Sequence, residues 1–104
     1  MLTQVHTDNN IGSRQSRNEY FGTLVEDSLV RFHDHITRIQ VHLVDENAQK
    51  ESRNDKRCMI EVKLKGLEPI AVTNHADTLE AAVSGAIDKV KKSLDHVLSK
   101  LKSH

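Results

Sequence analysis

Along the C-terminal quarter of the chain, apolar residues recur in steps of three and four: Leu79, Ala82, Val83, Ala86, Ile87, Val90, Leu94, Val97, Leu98 and Leu101. At about 100° per residue they gather into one stripe, so the spacing predicts a long amphipathic helix over 78–102. Asp77 or Thr78 stands where an N-cap is expected, Glu80 falls in the first turn, and Lys100 and Lys102 fall in the last. Each charge is where the helix dipole favours it. A second helical pattern, Phe21, Leu24, Val25, Leu29 and Phe32, predicts a first helix from about Arg14 to His33. Gly22 weakens its start by on the order of 1 kcal/mol relative to alanine.

Between and before these helices the period changes to two. Leu2 to Thr7 alternates weakly, with Thr3, Val5 and Thr7 favouring a short strand, and Asp8-Asn9-Asn10 breaks it. Arg38 to Val44 alternates cleanly, with Ile39, Val41 and Leu43 on one face. Cys58, Ile60, Val62 and Leu64 form the apolar face of a third strand, and Gly66-Leu67-Glu68 turns the chain into a fourth that starts after Pro69 with Ile70 and Val72 inward. Residues 45–55 are polar and without period, which predicts an exposed, mobile loop. The order β-α-β-β-β-α defines an α+β fold. Each helix has one apolar stripe and each later strand one apolar face, so two helices should cover one side of a four-stranded mixed sheet. Its first two strands should be parallel and the rest antiparallel. This arrangement is like that of a double-stranded RNA-binding domain.

The length of 104 residues predicts a single domain over 1–104. Formal net charge is zero, yet residues 78–104 carry five Lys against three acids, while residues 1–77 carry ten Lys or Arg against twelve acids. The C-terminal helix is therefore a basic element in a balanced chain. Lys89, Lys92, His96 and Lys100 fall within an arc of roughly 80° on the helical wheel, with no carboxylate among them. Such a run is often no more than a solvated face; the segregation of acids away from it favours a ridge that meets a polyanion. One cysteine, no apolar run approaching the ~18 residues of a membrane span and no secretory signal pattern point to a soluble cytoplasmic protein without membrane contact; the sequence does not fix its oligomeric state, with a monomer the favoured expectation.

Catalytic chemistry finds no support. There is no nucleophile-elbow glycine pair, no phosphate-cradling loop and no recognisable catalytic carboxylate pair, so neither an enzyme nor a small-molecule substrate is expected. Cys58 alternates with apolar neighbours and reads as a buried, inert thiol. The densest histidine cluster, His33-Asp34-His35, does not place its imidazoles on one helix face, so no metal and no cofactor are expected. The open sheet face would show Arg38, Gln40, His42, Arg57, Met59, Glu61, Lys63 and Lys65, cationic but without the aromatics that stack single-stranded bases. Recognition of structured RNA through phosphate and shape remains, with Lys89, Lys92, His96 and Lys100 foremost and Arg14, Arg17, Arg53, Lys56 and Arg57 as further candidates.

The segment Asp77-Thr-Leu-Glu-Ala-Ala-Val-Ser-Gly-Ala-Ile-Asp-Lys89-Val, followed by Lys92, Leu94, His96 and Lys100, resembles the last helix of the bacterial ribosome hibernation promoting factor and ribosome-associated inhibitor family. These are also called sigma-54 modulation or S30AE proteins. The family's basic residues on that helix fall on Lys89, Lys92 and His96, and its element order matches the one read from periodicity. The resemblance implies the short type of the family. Its role is that of a stress-response and stationary-phase factor that occupies the mRNA and tRNA channel of the small ribosomal subunit through 16S rRNA and halts translation. The chain departs from the family's pattern in its first helix, where Glu26 and Asp27 accompany Arg31 in place of lysines, and at Leu79, where an aromatic is common. The alternative is a stress-regulatory protein-interaction module that uses the open sheet face without RNA.

Overall fold

The computed structural model describes residues 1–8, 15–46 and 55–101. Its elements are β1 (Leu2–Thr7), α1 (Gln15–Ser28), a 3-10 turn (Val30–Phe32), β2 (Ile36–Asp45), β3 (Lys56–Leu64), β4 (Ile70–Ala76) and α2 (Leu79–Leu101). The expected β-α-β-β-β-α order is the observed one. The sheet runs β1-β2-β3-β4, with β1 parallel to β2 and the remaining pairs antiparallel.

The core is what the two periods require. Ile39, Val41 and Leu43 of β2 and Cys58, Ile60 and Val62 of β3 are fully buried beneath the helices. Val25 and Leu29 meet them from the first helical region, and Val83, Ala86, Val90 and Leu94 from α2. Burial without a charged partner pushes the Cys58 thiol up to about 12, so it stays protonated and unreactive at neutral pH. Leu101, counted with the apolar stripe from its spacing, is 48% exposed because α2 has by then run beyond its support.

The first helical region differs from its expected span. Regular helix stops at Ser28, whose hydroxyl donates to the Leu24 carbonyl 2.7 Å away. The Leu29 amide is shared between the Val25 and Glu26 carbonyls, and the next bonds, Phe32 to Leu29 and His33 to Val30, close three-residue turns. The chain tightens from an α to a 3-10 winding while Leu29 and Phe32 stay buried, because an i, i+3 pair suits either.

The expected loop is narrower than its sequence suggested. Residues 47–54 lie outside the described residues, but both its ends are built into the fold. The Glu46 amide donates to the Asp55 carbonyl at 2.8 Å, and Asp55 is itself buried. Asp45 continues β2 in register with Lys56.

Candidate nucleic-acid interface

Thr78 caps α2: its hydroxyl accepts the Ala81 amide at 3.1 Å, which satisfies one of the donors that every helix start leaves over. The helix then comes unusually close to β4. Asn74 points inward from β4, and its side-chain amide donates to the Ala81 and Ala82 carbonyls at 3.4 and 3.2 Å. A Cβ at position 85 would overlap that amide, so Gly85 is what allows the approach. The contact fixes the rotation of α2 about its axis, and with it which residues face away from the sheet.

Lys89, Lys92, His96 and Lys100 are all exposed along the side of α2 thus presented. The first of them is tethered, its ammonium donating to the Thr73 carbonyl of β4 at 2.7 Å. That acceptor is neutral, so the positive charge persists while its position is restricted. Of the acids on α2, Asp95 is turned to the other flank, where it meets Arg31 at 3.1 Å. With the two side chains 58% and 55% exposed, this pair adds little stability, but it keeps a carboxylate away from the ridge.

The remaining candidates do not join the ridge. Lys56 projects on the helix side of the sheet and bonds to Asp55 at 3.1 Å and Asp45 at 3.3 Å. The Asp55 hydrogen bond foremost holds the lysine above its ordinary pKa, against a smaller opposing effect of burial. Its charge is therefore compensated locally. Arg17 is half-buried at the start of α1 and shares with Lys56, Tyr20, Asp77, Thr78 and Glu80 a cleft of about 690 Å³ between the first turns of the two helices. Arg57 lies on the opposite, open face, 3.8 Å from Glu46, whose carboxylate also takes His75 at 2.7 Å. Arg14 and Arg53 lie outside the described residues. Three separate regions thus hold the basic candidates, and only the α2 ridge is without a close carboxylate partner among the described residues.

Of the residues expected on the open face, the register places Arg38, Gln40, His42, Arg57, Met59, Glu61 and Lys63 there, whereas Lys65 falls in the turn after β3. His6 joins them, which the sequence alone did not indicate. The parallel pairing of β1 sets His6 beside His42 and Gln4 beside Gln40, and the two imidazoles stack with centroids 4.8 Å apart and planes 20° from parallel. Burial and His6, in that order, push His42 below its ordinary pKa; Glu61 opposes them and Arg57 adds to them. The alternation of Leu2–Thr7 and Arg38–Val44 puts His6 and His42 both at polar positions, but only the strand register makes them neighbours.

The family model described as sigma 54 modulation protein / S30EA ribosomal protein matches residues 8–102. No curated protein matches the chain by sequence. Among solved structures, the N-terminal domain of Protein Y from Thermus thermophilus is similar with a TM-score of 0.65 and 18% identity, over 90% of this chain and 94% of that one. A ribosomal subunit interface protein from Coxiella burnetii is similar with a TM-score of 0.66 and 20% identity, over the whole of both chains. These likenesses concern the fold.

Proposed function

The chain belongs to the sigma 54 modulation protein / S30EA ribosomal protein family, and from that premise we propose that it binds the small ribosomal subunit and silences translation. In this reading α2 lays Lys89, Lys92, His96 and Lys100 against 16S rRNA phosphates in the channel that mRNA and tRNA otherwise occupy. The observation that carries it is the exposure of all four groups on one side of a helix whose opposite side is anchored in the core. A plug of this kind needs a rigid cationic surface and no chemistry, and α2 supplies rigidity through its cap, its Asn74 clamp and its buried stripe.

Phosphate contact makes affinity depend on salt through counterion release, and four contacts predict a log–log slope of about −3. Reversing Lys89 and Lys92 together (Lys89→Glu, Lys92→Glu) should release the protein from 30S subunits on a sucrose gradient and flatten that slope by about 2. The thermal melt should change little. Undiminished co-sedimentation of this variant would defeat the assignment to α2. Absence of the unaltered protein from 30S and 70S fractions of a stationary-phase lysate would defeat ribosome binding itself and favour a protein-interaction role for the open sheet face.

A further inference from the structure

We propose that the free edge of β1 is a docking strand for an extended segment of another protein rich in lysine or arginine, which adds to the sheet beside α1. The Asp8 amide continues the ladder between β1 and β2 by donating to the Leu43 carbonyl at 3.2 Å. Along a strand the peptide groups of successive residues point to opposite sides, so Gln4 and His6 also bond toward β2, and the N–H and C=O groups of Thr3, Val5 and Thr7 face the other way. β1 is the outermost strand of the order β1-β2-β3-β4, and among the described residues no strand lies on that side. Natural sheets blunt such a margin with a lysine, a proline or a bulge. The segment Leu-Thr-Gln-Val-His-Thr has neither lysine nor proline, and its register with β2 runs unbroken.

The lining selects the partner. A groove of about 600 Å³ runs along this edge, walled by Thr3 and Val5 on one side and on the other by a stripe of α1 that includes Gln15, Asn18, Glu19 and Glu26. Its two charged residues are both acids. Glu19 accepts from the Gln15 side-chain amide at 3.1 Å, and Glu26 from the Thr3 hydroxyl at 2.7 Å. Both donors are neutral, so both negative charges persist. Asn18 adds a further acceptor, a buried side-chain oxygen with no hydrogen-bond partner among the described residues. An added strand sends alternate side chains toward α1, where long cationic ones meet these oxygens. The same charges select against a second copy. Two β1 strands paired about a twofold axis would put both α1 helices on one face of the joined sheet, with Glu19 and Glu26 of the two chains along one seam. The inference does not rest on ribosome binding, since it uses none of the α2 cations.

The experiment uses the full chain and a synthetic peptide of alternating arginine and valine, followed by NMR of the backbone amides and their hydrogen exchange. The peptide should slow exchange at Thr3, Val5 and Thr7 and leave the amides of β4 unchanged. A strand offers only one of its two edges to β1, so of two peptides N-methylated either on the arginines or on the valines, one should lose binding and the other keep it. A peptide with glutamate in place of arginine should not bind. Glu19→Lys combined with Glu26→Lys should weaken binding about tenfold. Thr7→Pro, which removes one outward N–H and leaves the ladder with β2 in place, should weaken it several-fold. Circular dichroism of each variant establishes that it is folded. Absent binding, equal binding of the glutamate peptide or of both methylated peptides, or undiminished binding by the glutamate double variant would overturn the docking strand. Sedimentation of the chain alone should show a monomer; a dimer that Thr7→Pro dissociates would give the edge to a second copy and overturn the choice of partner.

Discussion

Over its 23 residues α2 buries seven side chains from Ala82 to Leu98, whereas α1 buries only Phe21, Gly22 and Val25 over 14. Their charges differ in the same sense. α2 carries four lysines against three acids and holds three of them, Lys89, Lys92 and Lys100, together with His96 on one side; α1 carries Arg17 against Glu19, Glu26 and Asp27. Glu26 is in addition engaged with β1, where it accepts the Thr3 hydroxyl at 2.7 Å. The helix that is set most firmly in the core is thus the one with a segregated charged surface, and the more shallowly seated helix has an acidic one. Firm seating is what lets a row of charges keep a fixed direction. The comparison also explains how a chain of zero net charge can present a cationic surface: its acids are spent on α1, on Lys56 and on Arg31.

The difference in seating is open to direct test. Leu94→Ala should cost about 2–5 kcal/mol, because Leu94 is fully buried between α2 and the sheet. Leu24→Ala in α1, at a half-buried position, should cost on the order of 1 kcal/mol. Urea titrations of the two variants check the ratio; equal losses would mean that α1 is as integral as α2.

The paired glycines give a smaller contrast. Gly85→Ala gains about 1 kcal/mol of helix propensity but forces the Asn74 amide from its two carbonyls, so it should lose about 1 kcal/mol net. At Gly22 the added methyl would meet the Val5 side chain at 3.2 Å, close enough to offset the same propensity gain and leave stability within about 0.5 kcal/mol of the parent. Thermal melts distinguish the two, and a stabilised Gly85→Ala would remove the clamp from the account of α2. Thr78→Ala should cost about 1 kcal/mol through loss of the cap, read by the same melts. Least of all should Asp27→Lys matter: on the exposed side of α1 it should leave the salt dependence of 30S binding unchanged, and tighter binding would bring α1 into the interface.

Most of this architecture was legible in the residues because burial follows period. α2, β2 and β3 have clean apolar stripes, and their observed bounds lie close to the expected ones. α1 was less legible at its end, since Leu29 and Phe32 are spaced equally well for two windings and the choice depends on Ser28 bonding back to Leu24. The α2 ridge could be read because it lies on one element. The His6 and His42 stack, the contact of Lys56 with Asp45, and the fit of Asn74 against Gly85 each join residues on different elements, and only strand register or helix docking brings them together.

The tether between Lys89 and the Thr73 carbonyl has one more consequence. β4 is an outermost strand, and the unpaired peptide groups along such a margin invite strands from other molecules, the usual beginning of aggregation. Here one acceptor is already occupied by an ammonium group, which an incoming chain would have to displace and strip of water. The lysine proposed to meet RNA therefore also sits on the rim of the sheet, where it raises the cost of edge-to-edge pairing with another chain.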